Sequence, residues 1–105
     1  MINYQGTALV TGSSSGIGEA FARELAKRGM NLVLVARSLG KLTTLAAELT
    51  SLHGIVAEAI RIDLSEAGSA ASLFRETEAR GISVTMLVNN AGFATYGPFE
   101  TLDPF

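Results

Sequence analysis

The residues best placed to do chemistry stand in one glycine-rich run, Thr11–Gly18 (TGSSSGIG). An apolar, strand-like stretch precedes this run, and a helix-like stretch follows it. A strand that turns tightly through glycines into a helix leaves several backbone N–H groups pointing one way, and the positive end of the helix dipole adds to them. The sequence therefore predicts an anion site, of the kind that holds the pyrophosphate of a dinucleotide.

Each glycine of the run has a separate role in this interpretation. Gly12 permits the turn, Gly16 removes a side chain where a pyrophosphate would lie, and Gly18 lets the helix and strand pack closely. A glycine-rich run on its own also fits an ordinary polar turn between a strand and a helix. Further motifs are needed to decide between the two.

Composition and charge limit the classes of function. The chain has 105 residues, which allows one domain at most, and its 48% hydrophobic content is typical of a globular protein. A net charge of −2 with scattered Lys and Arg gives no nucleic-acid footprint. Without cysteine, no disulfide or thiolate metal site is possible, and we expect no metal. No apolar run reaches the roughly 20 residues that a bilayer requires, and the N-terminus lacks a signal-peptide pattern, so we expect no membrane partner and a cytoplasmic location.

The sequence predicts four strands, the first three of which are each followed by a helix. The strands are residues 7–10, 31–36, 55–62 and 84–88. The predicted helix N-caps include Ser38 and Ser65, and the predicted helix ends are Gly29, Gly54 and Gly81. Strands that alternate with helices indicate an α/β fold, a doubly wound parallel sheet with right-handed connections in the order 3-2-1-4.

Apolar patterns predict which faces are buried. The second strand is apolar on both faces, which is typical of a strand between two helix layers, whereas the mixed third strand indicates a sheet edge. The predicted core stripe of helix two is Leu42, Leu45, Ala46, Leu49 and Leu52, and that of helix three is Ala67, Ala70, Ala71 and Phe74. The order 3-2-1-4 also leaves strand four at an edge, so we expect self-association through that edge.

Three further motifs follow the other strands. Arg37 stands just past strand two, Asp63-Leu64 follows strand three, and residues 89–92 (NNAG) follow strand four. Each lies at the carboxyl end of a parallel strand, where ligands of such sheets bind. Together with the glycine run, these motifs make the whole chain resemble the short-chain dehydrogenase/reductase family, whose cofactor domain is Rossmann-like.

The resemblance implies roles for individual residues. Ser13, Ser14, Ser15, Gly16 and Ile17 would wrap the pyrophosphate, Asp63 would hydrogen-bond the adenine amino group, and Leu64 would pack on the adenine ring. Asn90, Ala91 and Gly92 would border the adenosine ribose and approach the nicotinamide. Thr11 would brace the fourth-strand turn without touching cofactor. Asp63 could instead cap the following helix, and Asn89 could tie strands together without meeting cofactor.

The residues at the end of strand two bear on cofactor choice. Members that bind NAD place a carboxylate there to accept hydrogen bonds from the ribose 2′-OH. In this chain the uncharged Ala36 takes that place, and the guanidinium of Arg37 follows it. This arrangement favours a 2′-phosphate, so we predict a preference for NADP(H) over NAD(H) that Arg37→Asp would weaken. The alternative is an exposed arginine that lies near the site by chance.

The catalytic residues that the resemblance calls for are missing. The family uses a Tyr-x-x-x-Lys pair, but the residues four positions after Tyr4 and Tyr96 are Ala8 and Glu100. We therefore predict no catalytic residue in this chain and no turnover by it alone. Residues 1–105 would be the NADP-binding half-domain of an oxidoreductase that moves hydride between NADP(H) and a small-molecule alcohol or carbonyl, with the catalytic C-terminal half absent.

Two other classes of function remain open at this point. One is a non-catalytic module that binds nucleotide or pairs with another chain. The other is a different nucleotide user, but the glycine spacing argues against a sugar-nucleotide epimerase, and Ala36 and Arg37 argue against a methyltransferase, which would want an acidic residue there. Phe93, Tyr96 and Phe99 could line a substrate pocket or pack against the sheet.

Overall fold

The fold is a parallel sheet with helices on both faces. The computed structural model describes residues 6–13 and 15–89 and, for the backbone alone, residues 101–102. In chain order the elements are β1 (Thr7–Thr11), α1 (Gly16–Lys27), β2 (Asn31–Ala36), α2 (Leu39–His53), β3 (Ala57–Arg61), α3 (Ser69–Ala79), β4 (Met86–Val88) and β5 (Thr101–Leu102). The strand order is β3-β2-β1-β4-β5, and every pairing is parallel. The predicted α/β class and the 3-2-1-4 order are confirmed.

The core lies on both sides of β2, as its two apolar faces predict. Leu32 and Leu34 pack with the inner faces of α1 and α2, while Val33 and Val35 pack with Leu73 of α3. All four β2 residues are at most 1% exposed. Burying side chains of this size stabilises the fold by about 1.5–3 kcal/mol each, so the two layers hold β2 and its neighbours in fixed register.

Glycines end the helices where the sequence predicts. Gly29, Gly54 and Gly81 follow α1, α2 and α3 with φ of +91°, +68° and +71°, a left-handed conformation that side chains with a Cβ rarely adopt. The edge position predicted for the third strand is also confirmed, since β2 is the one described strand with which β3 pairs.

Two predicted helix starts need correction. Ser38 stands at the N-cap of α2 but makes no side-chain capping hydrogen bond. Ser65 does not cap α3, because the chain first makes two turns, closed by hydrogen bonds from Glu66 N to Asp63 O and from Ser69 N to Glu66 O. Gly68, with φ of +79°, then stands at the N-cap, and α3 begins at Ser69.

The later start of α3 changes its buried face. Leu73 and Thr77, one turn apart, are buried, and the Thr77 hydroxyl donates to Phe74 O at 2.8 Å. Of the face predicted from the sequence, Ala67, Ala70 and Ala71 are exposed and Phe74 is half-buried. In α2 the predicted stripe is buried except for Leu52, which is 63% exposed because it lies about 80° around the helix from Leu42.

The expectation that strand four forms a sheet edge is wrong. β5 pairs with β4 on the side away from β1, with Leu87 opposite Thr101 and Val88 opposite Leu102. The sequence around β5 has no clear period, which is why this short strand was not predicted. Self-association through an open β4 edge therefore loses its structural premise. Among the described residues, every helix is too short or too polar to span a bilayer.

Candidate functional site

The turn after β1 closes tightly before α1 begins. Gly12 adopts φ of +65°, as its predicted role in the turn requires. Its carbonyl oxygen accepts two hydrogen bonds from Ser15, one from the backbone amide at 3.1 Å and one from the hydroxyl at 2.8 Å. The turn therefore delivers the chain directly to the N-terminus of α1 at the carboxyl edge of the sheet.

The first turn of α1 leaves two backbone donors available. Ser15 is the N-cap, and its Oγ accepts from the amide of Gly18 at 3.2 Å. Within the described residues, the amides of Gly16 and Ile17 donate to no acceptor. An added Cβ at Gly16 would meet nothing within 4 Å. Two amides without a described acceptor, at the positive end of a 12-residue helix, are an arrangement that favours an anion.

Ser13 lies behind the turn and not on its surface. Its side chain is fully buried, with Oγ donating to Val10 O at 2.6 Å and accepting from the amide of Val35 at 3.3 Å. Its own amide donates to Val35 O at 3.2 Å. Ser13 therefore ties the turn to β1 and β2, a role that the TGxxxGxG pattern did not reveal.

Thr11 holds the ends of β1 and β4 together, as the sequence analysis expects. Its buried Oγ1 lies 3.4 Å from Val88 O and 3.2 Å from Asn89 Oδ1. Asn89 therefore makes the contact between strands that the sequence analysis gave as its alternative role. The hydrogen bond from Thr11 to Asn89 fixes the first residue of the 89–92 motif relative to the glycine-rich turn.

A second part of the site lies at the ends of β2 and β3. Arg37 and Asp63, predicted from the sequence, line one cavity of about 310 Å³. The other lining residues are Arg61, Ile62, Glu66, Ala67, Ser69 and Ser72. Leu64 is half-buried and packs against the core on the α3 side of the sheet. The structure therefore brings Arg37 and Asp63 together.

The sequence reasoning missed Arg61. This residue ends β3 and stands opposite Ala36 in the β2–β3 register. The sequence did contain a signal for Arg61 as a site candidate. It is the last residue of a strand whose neighbour ends in Ala36-Arg37, and the ends of adjacent parallel strands meet at the same edge. In the sequence alone, the alternation of β3 made Arg61 look like an ordinary exposed edge residue.

Asp63 is held ionised by its surroundings. Its Oδ1 accepts from the Ser65 hydroxyl at 2.6 Å and from the Ser65 amide at 2.9 Å. These two hydrogen bonds, and then the nearby charges of Arg37 and Arg61, hold the pKa of the Asp63 carboxyl below its usual value. Since α3 begins only at Ser69, Asp63 does not cap that helix.

Other predicted residues lie outside the described part of the chain. They are Ser14, Asn90, Ala91 and Gly92, together with the aromatic residues Phe93, Tyr96 and Phe99. Their predicted roles stay predictions.

Comparisons with known proteins agree with the geometry. A family model described as short chain dehydrogenase matches residues 6–104. Very-long-chain 3-oxoacyl-CoA reductase of Aspergillus fumigatus is 39% identical over 85 residues, which is 81% of this chain and 25% of that protein. The chain thus spans about a quarter of that relative's length.

Solved structures with the same architecture include two that contain a nicotinamide coenzyme. A short-chain dehydrogenase from Sphingobium yanoikuyae in complex with NADPH is 42% identical, with a TM-score of 0.73, and the match covers 90% of this chain and 36% of that one. An alcohol dehydrogenase from the archaeon Thermococcus sibiricus, complexed with 5-hydroxy-NADP, is 36% identical with a TM-score of 0.78, covering 89% and 40%. The chain described here belongs to the short-chain dehydrogenase family of oxidoreductases.

Proposed function

We propose that the carboxyl edge of this sheet binds a nicotinamide dinucleotide. The observation that carries the proposal is the pair of amides at Gly16 and Ile17, which donate to no described acceptor at the N-terminus of α1, where a Cβ added at Gly16 would meet nothing within 4 Å. A pyrophosphate placed there receives two N–H donors and the favourable end of the helix dipole. Gly12, Ser13, Ser15 and Gly18 would shape the turn around the pyrophosphate, and Ser14 keeps its predicted role in wrapping it.

The adenosine end of the coenzyme would lie toward the cavity at the ends of β2 and β3. Asp63 would accept a hydrogen bond from the adenine amino group, and Leu64 would lie against the ring. Because the Ser65 bonds occupy Oδ1 of Asp63, Oδ2 is the atom left for adenine. Asn90, Ala91 and Gly92 would border the ribose and the nicotinamide side.

NADP(H) is favoured over NAD(H) in this proposal. β2 ends in Ala36, so no carboxylate stands there to accept a bond from the ribose 2′-OH, and Arg37 follows with an exposed guanidinium. A guanidinium complements a 2′-phosphate through charge-assisted hydrogen bonds. The NADPH and 5-hydroxy-NADP complexes of the two related structures support this choice.

The reaction proposed for the whole protein is hydride transfer between NADP(H) and an alcohol or carbonyl substrate. The names of the relatives, an alcohol dehydrogenase and a 3-oxoacyl-CoA reductase, support this class. Residues 1–105 would supply coenzyme binding and orientation, and catalytic residues would come from a C-terminal half outside these 105 residues. The cytoplasmic location stays a prediction.

The test replaces Gly16 with alanine. An added Cβ at Gly16 meets no protein atom, so Gly16→Ala should leave the free energy of unfolding unchanged or raise it by up to about 1 kcal/mol. The methyl group would stand where the pyrophosphate must approach, and calorimetric titration should show NADPH affinity reduced about ten- to a hundredfold.

The matched control is Gly40→Ala. Gly40 also lies in the first turn of a helix, and a Cβ there also meets nothing within 4 Å. This variant should bind NADPH as the wild type does. Equal NADPH affinity in the Gly16 and Gly40 variants, or no NADPH binding by folded wild-type chain, would contradict the proposed function.

A further inference from the structure

The arginines of the chain fall into two groups by their partners. Arg23, Arg28 and Arg80 each form ion pairs with glutamates on the helices or on β3, and Arg75 donates to the Ser72 hydroxyl at 3.3 Å. In contrast, the side chains of Arg37 and Arg61 make no hydrogen bond or ion pair with any residue that the structure describes. Two guanidiniums without protein partners therefore remain, and both stand at the carboxyl edge of the sheet.

The same two arginines share one cavity. Both line the space of about 310 Å³ at the ends of β2 and β3. Arg61 lies opposite Ala36 in the strand register, so the backbones that carry the two side chains are neighbours. Both positive charges also contribute, after the stronger Ser65 hydrogen bonds, to the lowered pKa of the Asp63 carboxyl in the same cavity.

We propose that Arg61 acts together with Arg37 to bind the 2′-phosphate of NADP(H), and so helps to set the preference over NAD(H). The inference rests on the proposed function. A dianionic phosphate between two guanidiniums gains charge-assisted hydrogen bonds from both. The 2′-OH of NAD(H) carries no charge and gains little from the second arginine, so Arg61 acts on the difference between the two coenzymes.

The carboxylates in the cavity limit where the phosphate can lie. Asp63 and Glu66 also line it, and each would repel a phosphate placed beside it. In this proposal the phosphate lies beside the two guanidiniums and away from the Glu66 carboxylate. Removal of the Glu66 charge should strengthen NADPH binding, whereas removal of the Arg61 charge should weaken it.

The experiment compares NADPH and NADH affinities by calorimetry at low ionic strength for wild type, Arg61→Ala, Arg61→Lys and Glu66→Gln. Since the site is solvent-exposed, Arg61→Ala should weaken NADPH about three- to fivefold and leave NADH within about twofold. Lysine should restore part of the loss, because it keeps the charge and loses the planar fork. Glu66→Gln should tighten NADPH and leave NADH unchanged.

Arg28→Ala is the matched control, because it removes a guanidinium that is paired with Glu24 at the other end of α1. It should change neither affinity. An Arg61→Ala variant that loses affinity for both coenzymes equally, or for neither, overturns the inference.

The Arg37→Asp variant, titrated in the same way, distinguishes a wrong inference about Arg61 from a wrong proposed function. If Arg37→Asp lowers the NADPH preference and Arg61→Ala does not, only the Arg61 inference is wrong. If folded wild-type chain binds neither coenzyme, the proposed function fails and the inference fails with it.

Discussion

The amino and carboxyl ends of the sheet differ in whether their polar groups are paired within the protein. At the amino end, Asn31 N donates to Gly6 O, and Asn31 Oδ1 accepts from Val56 N, so that β1, β2 and the entry to β3 are joined. Thr85 adds a link from the segment before β4, since its amide and hydroxyl donate to Thr7 O and its hydroxyl accepts from Thr7 N. The amino end is therefore closed, in the sense that these described polar groups are paired with one another.

At the carboxyl end, donors remain after the strands have been tied together. Thr11 and Ser13 fasten β1 to its neighbours, yet the amides of Gly16 and Ile17 and the guanidiniums of Arg37 and Arg61 have no acceptor among the described residues. All four residues are exposed, so water can satisfy these donors until a ligand takes its place. The comparison shows that polar groups at the amino end join the strands, whereas donors without a described acceptor remain at the carboxyl end, where we propose that an anion binds.

The largest effect on stability is expected at Gly6, at the closed end. Gly6 has φ of +94°, and an added Cβ would lie 2.5 Å from Thr85 Oγ1, which belongs to the amino-end network. Gly6→Ala should lower the free energy of unfolding by about 3 kcal/mol, from backbone strain and overpacking together. Urea denaturation measures this loss.

Gly29→Ala is the control for strain alone. Gly29 has φ of +91°, but an added Cβ there meets nothing within 4 Å. This variant should lose about 1–2 kcal/mol. Equal losses in the two variants would show that the contact with Thr85 is unimportant and that the amino end is less closed than the distances indicate.

A smaller loss is expected at Ser13, where the carboxyl end has its structural tie. Ser13→Ala removes a buried hydroxyl bonded to both β1 and β2 and should cost about 1–3 kcal/mol in thermal or urea unfolding. The exposed Ser51 of α2 serves as the control, and Ser51→Ala should stay within about 0.5 kcal/mol of wild type. If the two variants were equally stable, Ser13 would not be a tie.

The smallest effect is a pH dependence at Asp63. Its lowered pKa means that its hydrogen bonds stabilise the fold above the ordinary carboxyl pKa, near 4, and that this contribution is lost as the pH falls through the folded-state value. Ser65→Ala should raise the Asp63 pKa toward its ordinary value, as an NMR titration of the carboxyl carbon would show. An unchanged pKa would mean that the Ser65 hydroxyl does not control this carboxylate, whose remaining partners are the backbone amide at position 65 and the charges of Arg37 and Arg61.

Much of the fold follows from the sequence, because burial on both faces of β2 and glycines after each helix leave few alternatives. The start of α3 could not be predicted, since Ser65 is a good N-cap residue and only the turns closed by Asp63 and Glu66 show that the helix starts later. β5 could not be predicted either, because two residues carry no periodicity and their pairing depends on β4.

The geometry around the candidate site was predictable where a motif lies within one strand–turn–helix unit, as with the positive φ of Gly12 in the turn after β1. It was less predictable where contacts cross between strands. In the sequence Ser13 is indistinguishable from the other serines of the turn, although it is buried against β2. The position of Arg61 at the site follows only from its register with Ala36. Such contacts depend on tertiary structure, which patterns among neighbouring residues in the sequence do not reveal.

The most direct test of the account is an amide NMR titration of the ¹⁵N-labelled chain with NADPH. The account predicts that the largest shift changes occur at the Gly16 and Ile17 amides, while the amides of Asn31 and Thr85 at the closed end stay in place. Saturable shifts centred on Asn31 and Thr85, or a titration that leaves Gly16 and Ile17 unmoved while NADPH binds, would contradict it.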